Sequence, residues 1–71
     1  MTPKQHPLTR YRAERGLSQR DLAKVLDVAS ITVSRWERGL RNIDERLLPI
    51  VERVTGIAPA LLRPDLARVL G

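Results

Sequence analysis

Covalent chemistry has little to work with in this sequence. The candidate nucleophiles and acid–base groups are three serines, Ser18, Ser30 and Ser34, and one histidine, His6; cysteine is absent. No serine has a base at motif spacing, and His6 has no carboxylate or thiol pattern around it, so neither a catalytic set nor a metal site is expected. There is no P-loop and no glycine-rich phosphate fingerprint. The chain therefore reads as a non-enzyme without cofactors. Cations are a different matter. Thirteen Lys/Arg against eight Asp/Glu give a net charge of +5, and the excess is unevenly placed. From Met1 to Ile43 there are nine basic residues (Lys4, Arg10, Arg12, Arg15, Arg20, Lys24, Arg35, Arg38, Arg41) and four acids; from Asp44 to Gly71 there are four of each. Such asymmetry fits a polyanion-binding part followed by a neutral packing part, with an Arg-rich solvated surface as the plain alternative.

The elements that must position these charges are helices. No run alternates with period two, and no Asn-Gly or Asp-Gly turn occurs. Pro7 suits a first helical position, Leu8 and Tyr11 share a face, and Gly16 stops that helix. Ser18 with Asp21 three residues on makes a capping-box start for a helix from Gln19 to Leu26, along which Leu22, Val25 and Leu26 recur at helical spacing. A third helix is expected from about Ser30 to Arg38, with Val33 and Trp36 inward and Gly39 closing it. Asp44 can cap a fourth helix to about Val54, ended by Gly56; Pro49 within it either kinks the helix or delays its start to about Leu48. Pro59 opens a short turn through Leu62, and Pro64 and Asp65 begin a last turn toward Val69.

The stretch from Gln19 to Arg38 is thus two short helices around a tight turn, the second rich in small polar residues. Ala23 is small where the helices would cross most closely. Leu22, Leu26, Val28, Val33 and Trp36 form the apolar seam, so Trp36 reads as core or core edge rather than a base-stacking ring. Asp27 occupies the turn, where positive φ is often needed and Asp is tolerated less well than Gly.

Leu17-Ser18-Gln19, the Leu22-Ala23 pair, Val33-Ser34-Arg35-Trp36-Glu37 and Gly39 resemble the helix-turn-helix of the Cro/C1-type (XRE) family, over roughly Leu8 to Ile57. Asp27 departs from the family's usual Gly. The stretch Val51–Ile57 followed by Leu62-Arg63-Pro64-Asp65 is similar to prophage Cro-like regulators, including YdaS-type proteins described as antitoxins. The resemblance implies an all-α, compact four- to five-helix, lambda-repressor-like domain with its helix-turn-helix at 19–38. It also implies a DNA-binding transcriptional regulator, a repressor by type, of bacterial or phage origin and cytoplasmic.

By position in that family, the helix starting near Ser30 enters the major groove, and Ser30, Ile31 and Arg35 read bases with Thr32 and Ser34 nearby. The side chains suit this: Arg35 can pair bidentately with guanine, Ser30 can donate or accept, and Ile31 can touch a thymine methyl. Plain packing is the other reading of Ile31, and a share in the helix cap the other reading of Ser30. The resemblance gives Gln19 to a backbone phosphate; Arg20, Lys24, Arg38 and Arg41 are further phosphate candidates. It makes Arg12 and Glu37 a structural ion pair between the first and third helices.

At 71 residues there is room for one domain, 7–71, behind a short mobile arm, 1–6, that has no apolar core for a signal peptide and whose Lys4 could add a non-specific contact. A domain this small buries only about 60% of its unfolded surface, and without cysteines oligomerisation is the expected extra source of stability. The apolar tail Ile57, Leu61, Leu62, Leu66, Val69 and Leu70 reads first as core completion plus a two-fold homodimer contact, implying a palindromic double-stranded operator. A binding surface for a toxin partner is its alternative. No segment has the roughly 20 apolar residues of a membrane span.

Overall fold

A computed structural model describes residues 5–66, and those residues are all-helical. Five α-helices follow in order: α1 Pro7–Arg15, α2 Gln19–Leu26, α3 Ser30–Glu37, α4 Leu48–Thr55 and α5 Pro59–Leu62. Single 3-10 turns stand at Glu45–Leu47 and Pro64–Leu66. The expected contacts of Lys4, Val69 and Leu70 lie outside the described residues, as does the continuation of the last turn toward Val69.

Local sequence accounts for the boundaries. Ser18 Oγ accepts from the Asp21 N–H and Asp21 Oδ2 accepts from the Ser18 N–H, each at 3.0 Å, which completes the capping box of α2. Donation from the Ser18 backbone N–H first, and from the Ser18 hydroxyl after it, holds the Asp21 carboxyl below its usual range. Helix α2 ends on Asp27 at φ 58°, ψ 45°, the left-handed conformation that the tight turn demands; it is the one non-glycine residue there among those described. His6, expected in the arm ahead of the fold, is instead the cap of α1: its Nδ1 accepts the Leu8 N–H at 3.1 Å. Pro49 decides the fourth helix by delaying it. Asp44 caps the 3-10 turn through the Arg46 N–H, and α4 begins only at Leu48, where the missing proline donor falls among amides that have no helical partner.

The core gathers Leu8 of α1, Leu22, Ala23 and Leu26 of α2, Val33 and Trp36 of α3, Ile43 of the loop, Leu48 and Val51 of α4, and Leu62 of α5. Complete burial of a side chain such as Leu22 stabilises by about 1.5–3 kcal/mol. Val25 departs from the face suggested by its spacing and stands 55% exposed. At 100° per residue Leu22, Leu26 and Ala23 span one sector, and Val25 falls outside it. Helices α2 and α3 make the most extensive helix pair, with Ala23 buried between them. Thr55 is buried without cost, because its hydroxyl donates to Val51 O at 2.7 Å and accepts the Ile57 N–H at 3.1 Å. Tyr11 ties α1 to α4 by donating to Val54 O at 3.3 Å. Among the described residues no helix is long and apolar enough to cross a membrane.

Candidate nucleic-acid interface

Helix α3 is two-sided because of where its apolar residues fall. Val33 and Trp36 are buried, while Ser30, Ile31, Arg35 and Arg38 are exposed. At 100° per residue Ile31, Arg38 and Arg35 lie within one 60° sector of the outer face, with Ser34 on one flank and Thr32 on the other, both half-buried. The helix starts on Ala29, which offers no side-chain cap, and Ser30 supplies none in its place. The positive end of the helix dipole is therefore not met by a protein acceptor from the cap residue.

Behind this face sits the ion pair that joins the helices. Arg12 Nε donates to Glu37 Oε2 at 2.7 Å and its terminal nitrogen to Glu37 Oε1 at 2.7 Å, with a further bond to Leu17 O at 3.1 Å. The side chains are only 18% and 5% exposed. Thr9 Oγ1 and Gln19 Nε2 also donate to Glu37 Oε1, at 2.9 and 3.3 Å. Burial is the largest influence on Glu37 and opposes its charge; the bonds from Arg12, Thr9 and Gln19 together outweigh it, so its carboxyl lies below the usual range. The Glu37 bond correspondingly raises the Arg12 pKa. Both shifts describe one ionised pair.

Gln19, half-buried at the start of α2, therefore spends one amide hydrogen on Glu37 and keeps the other. Arg20 and Lys24 are exposed four residues apart on α2, and so share a face. An open groove of about 390 Å³ brings Thr32 and Arg35 of α3 together with Arg41, Asn42 and Arg63. Ser30, Ile31, Ser34, Gln19, Arg20, Lys24 and Arg38 do not line that groove. Asn42 and Arg63 had no place among the expected site residues. The Arg41-Asn42 pair shortly after Gly39 is a local signal for the first; the second rests on the bond from Arg63 to Ile43 O, across 20 residues of sequence. Among the described residues no group of His, Asp and Glu is arranged to hold a metal ion.

The helix-turn-helix family HTH_3 matches residues 8–62, from Leu8 of α1 to Leu62 of α5. No curated protein and no solved structure matches the chain significantly.

Proposed function

Because the chain belongs to the HTH_3 (XRE-type) helix-turn-helix family of DNA-binding transcription regulators, we propose that it is a repressor that lays α3 in the major groove of a palindromic operator. The observation that carries this reading is the exposed sector of α3. An eight-residue helix, about 12 Å long, offers Ile31 and Arg35 outward, with Arg38 following at its C-cap, while Val33 and Trp36 anchor it in the core. Arg35, with Ser30 and Ile31, reads base edges; Thr32 and Ser34 flank them. Gln19, Arg20, Lys24, Arg38 and Arg41 hold phosphates, and Arg12 and Glu37 keep the two-helix unit rigid without touching DNA. The stretch Val51–Ile57 followed by Leu62-Arg63-Pro64-Asp65 favours the prophage Cro-like, YdaS-type branch, and a DNA-binding regulator of that type works in the cytoplasm.

Leu62 completes the core, whereas Leu61 beside it is 62% exposed and shares a groove with the partly buried Ile57, an apolar site open to a homodimer contact at this end of the fold. The same leucine lines an open groove with Tyr11 and Ile57 and favours a second reading, a toxin partner docked there. Both can hold in one protein. Repeated selection from a random duplex library tests the first reading: an enriched palindrome, bound with log K falling steeply in log[salt], supports it. Failure to enrich any sequence overturns it. Light scattering then distinguishes a dimer from a monomer, and co-purification of an unrelated chain brings the toxin reading forward.

A further inference from the structure

We propose that Arg63 is a positioning residue for DNA binding, holding the loop between α3 and α4 so that Arg41 reaches a phosphate. The proposal rests on the DNA reading of the α3 face above. The loop is anchored at its start by backbone bonds, with the Leu40 and Arg41 N–H groups both donating to Arg35 O at 2.9 and 3.3 Å. At its far end the Ile43 side chain is buried in the core. The Ile43 carbonyl accepts a 2.6 Å bond from Arg63, which arrives from beyond α5. Arg41 and Asn42 stand exposed between these anchors, on the groove they share with Arg35.

The Arg63 guanidinium is itself held. Its Nε and a terminal nitrogen form a two-pronged bond with Asp65 at 2.9 and 2.7 Å, and its side chain is only 12% exposed. The guanidinium so enclosed has three of its five N–H donors committed to Ile43 and Asp65, and its charge is countered by the Asp65 carboxylate. It acts on DNA through the loop rather than as one more free charge. Three elements meet here: the C-terminal end of α5 supplies the arginine, the loop supplies the carbonyl, and α3 supplies Arg35.

The test is the salt dependence of binding, measured on the selected duplex and on a mixed-sequence duplex of equal length. Each phosphate contact contributes about 0.9 to the slope of log K against log[salt], worth about eight-fold at 0.1 M relative to 1 M salt. Arg41→Ala is expected to lower the slope by that amount. Arg63→Met, which keeps the apolar stem, is expected to lower it equally, and the double variant to lose no more than either alone. Asp65→Asn gives the opposite sign from bulk electrostatics. It raises the net charge, yet is expected to weaken binding because Arg63 loses its orienting partner; it decides the matter alone should Arg63→Met not fold. If wild type binds neither duplex, or Arg41→Ala leaves the slope unchanged, the DNA reading of this face falls and Arg63 with it. If Arg41→Ala lowers the slope but Arg63→Met does not, or the two losses add, or Asp65→Asn binds more tightly, the positioning role alone is overturned.

Discussion

Replacing Glu37 by Gln keeps the size of the side chain and exchanges one oxygen for an NH2 group. Arg12 donates to both Glu37 oxygens at 2.7 Å, so whichever way the amide turns, one guanidinium N–H meets a donor. A charge-assisted hydrogen bond is worth about 1.5–3 kcal/mol, and breaking a fully buried pair costs about 3–5 kcal/mol. Arg12 retains partial solvent access and its bond to Leu17 O, which moderates the loss to about 2–4 kcal/mol. A domain of this length has roughly 4–11 kcal/mol of stability in total. With about 4–8 °C of Tm per kcal/mol, the variant should melt at least about 8 °C lower. Thermal and urea unfolding at pH 7, followed by circular dichroism, reads this directly. Removing both charges as Arg12→Met/Glu37→Met should cost less than the sum of the single changes, since neither charge is stranded. A Glu37→Gln protein within about 0.5 kcal/mol of wild type, or a double variant equal to the sum, would refute the reasoning. The operator preference of the folded variant should be unchanged.

Arg35→Ala should relax preference at one base position and cost about 1–3 kcal/mol of discrimination, read from competition between operators differing at that base. Asp27→Gly should raise stability by up to about 1 kcal/mol, by relieving left-handed strain and removing a negative charge from the C-terminal end of α2, whereas Asp27→Val should lower it; denaturant midpoints decide. His6 has a pKa below its ordinary 6.5 because burial outweighs the pull of Glu37. Its neutral, capping form is the folded one, so its contribution is present above pH 6.5 and is lost as pH falls through the lowered folded value. His6→Asn, a cap that does not titrate, should flatten that part of the stability–pH profile.

What could be read from sequence was what neighbouring residues settle among themselves. Ser18 and Asp21 are three apart and bond each other; Asp27 stands in the short turn between α2 and α3 and takes the left-handed conformation there. The Arg12–Glu37 pair spans 25 residues and came from family resemblance, because no local rule pairs such positions. The additional donors Thr9 and Gln19 have no sequence signal, since they depend on how closely α1, α2 and α3 converge. Imidazole is an uncommon cap, so His6 gives no helix-start signal by residue type. Val25 shows the limit of periodicity: spacing identifies a helix, but only the crossing at Ala23 fixes which sector turns inward. Ile43 and Arg63 became visible only once α5 had folded back on the loop.

Every α-helix described here is nine residues or fewer. Isolated helices shorter than about 12–15 residues are marginal in water, so none of these persists once it leaves the others. The surface of α3 is then a property of the whole fold: it vanishes when the domain opens and returns when the domain closes. Any duplex gripped by that surface withdraws the protein from the open state, adding about 2.7 kcal/mol of protection when free DNA stands at 100 times Kd. Occupied copies outlast idle ones wherever unfolding is the gateway to proteolysis. On the proposed reading of α3, short helices and ligand linkage together give DNA occupancy a hold on the regulator's own lifetime.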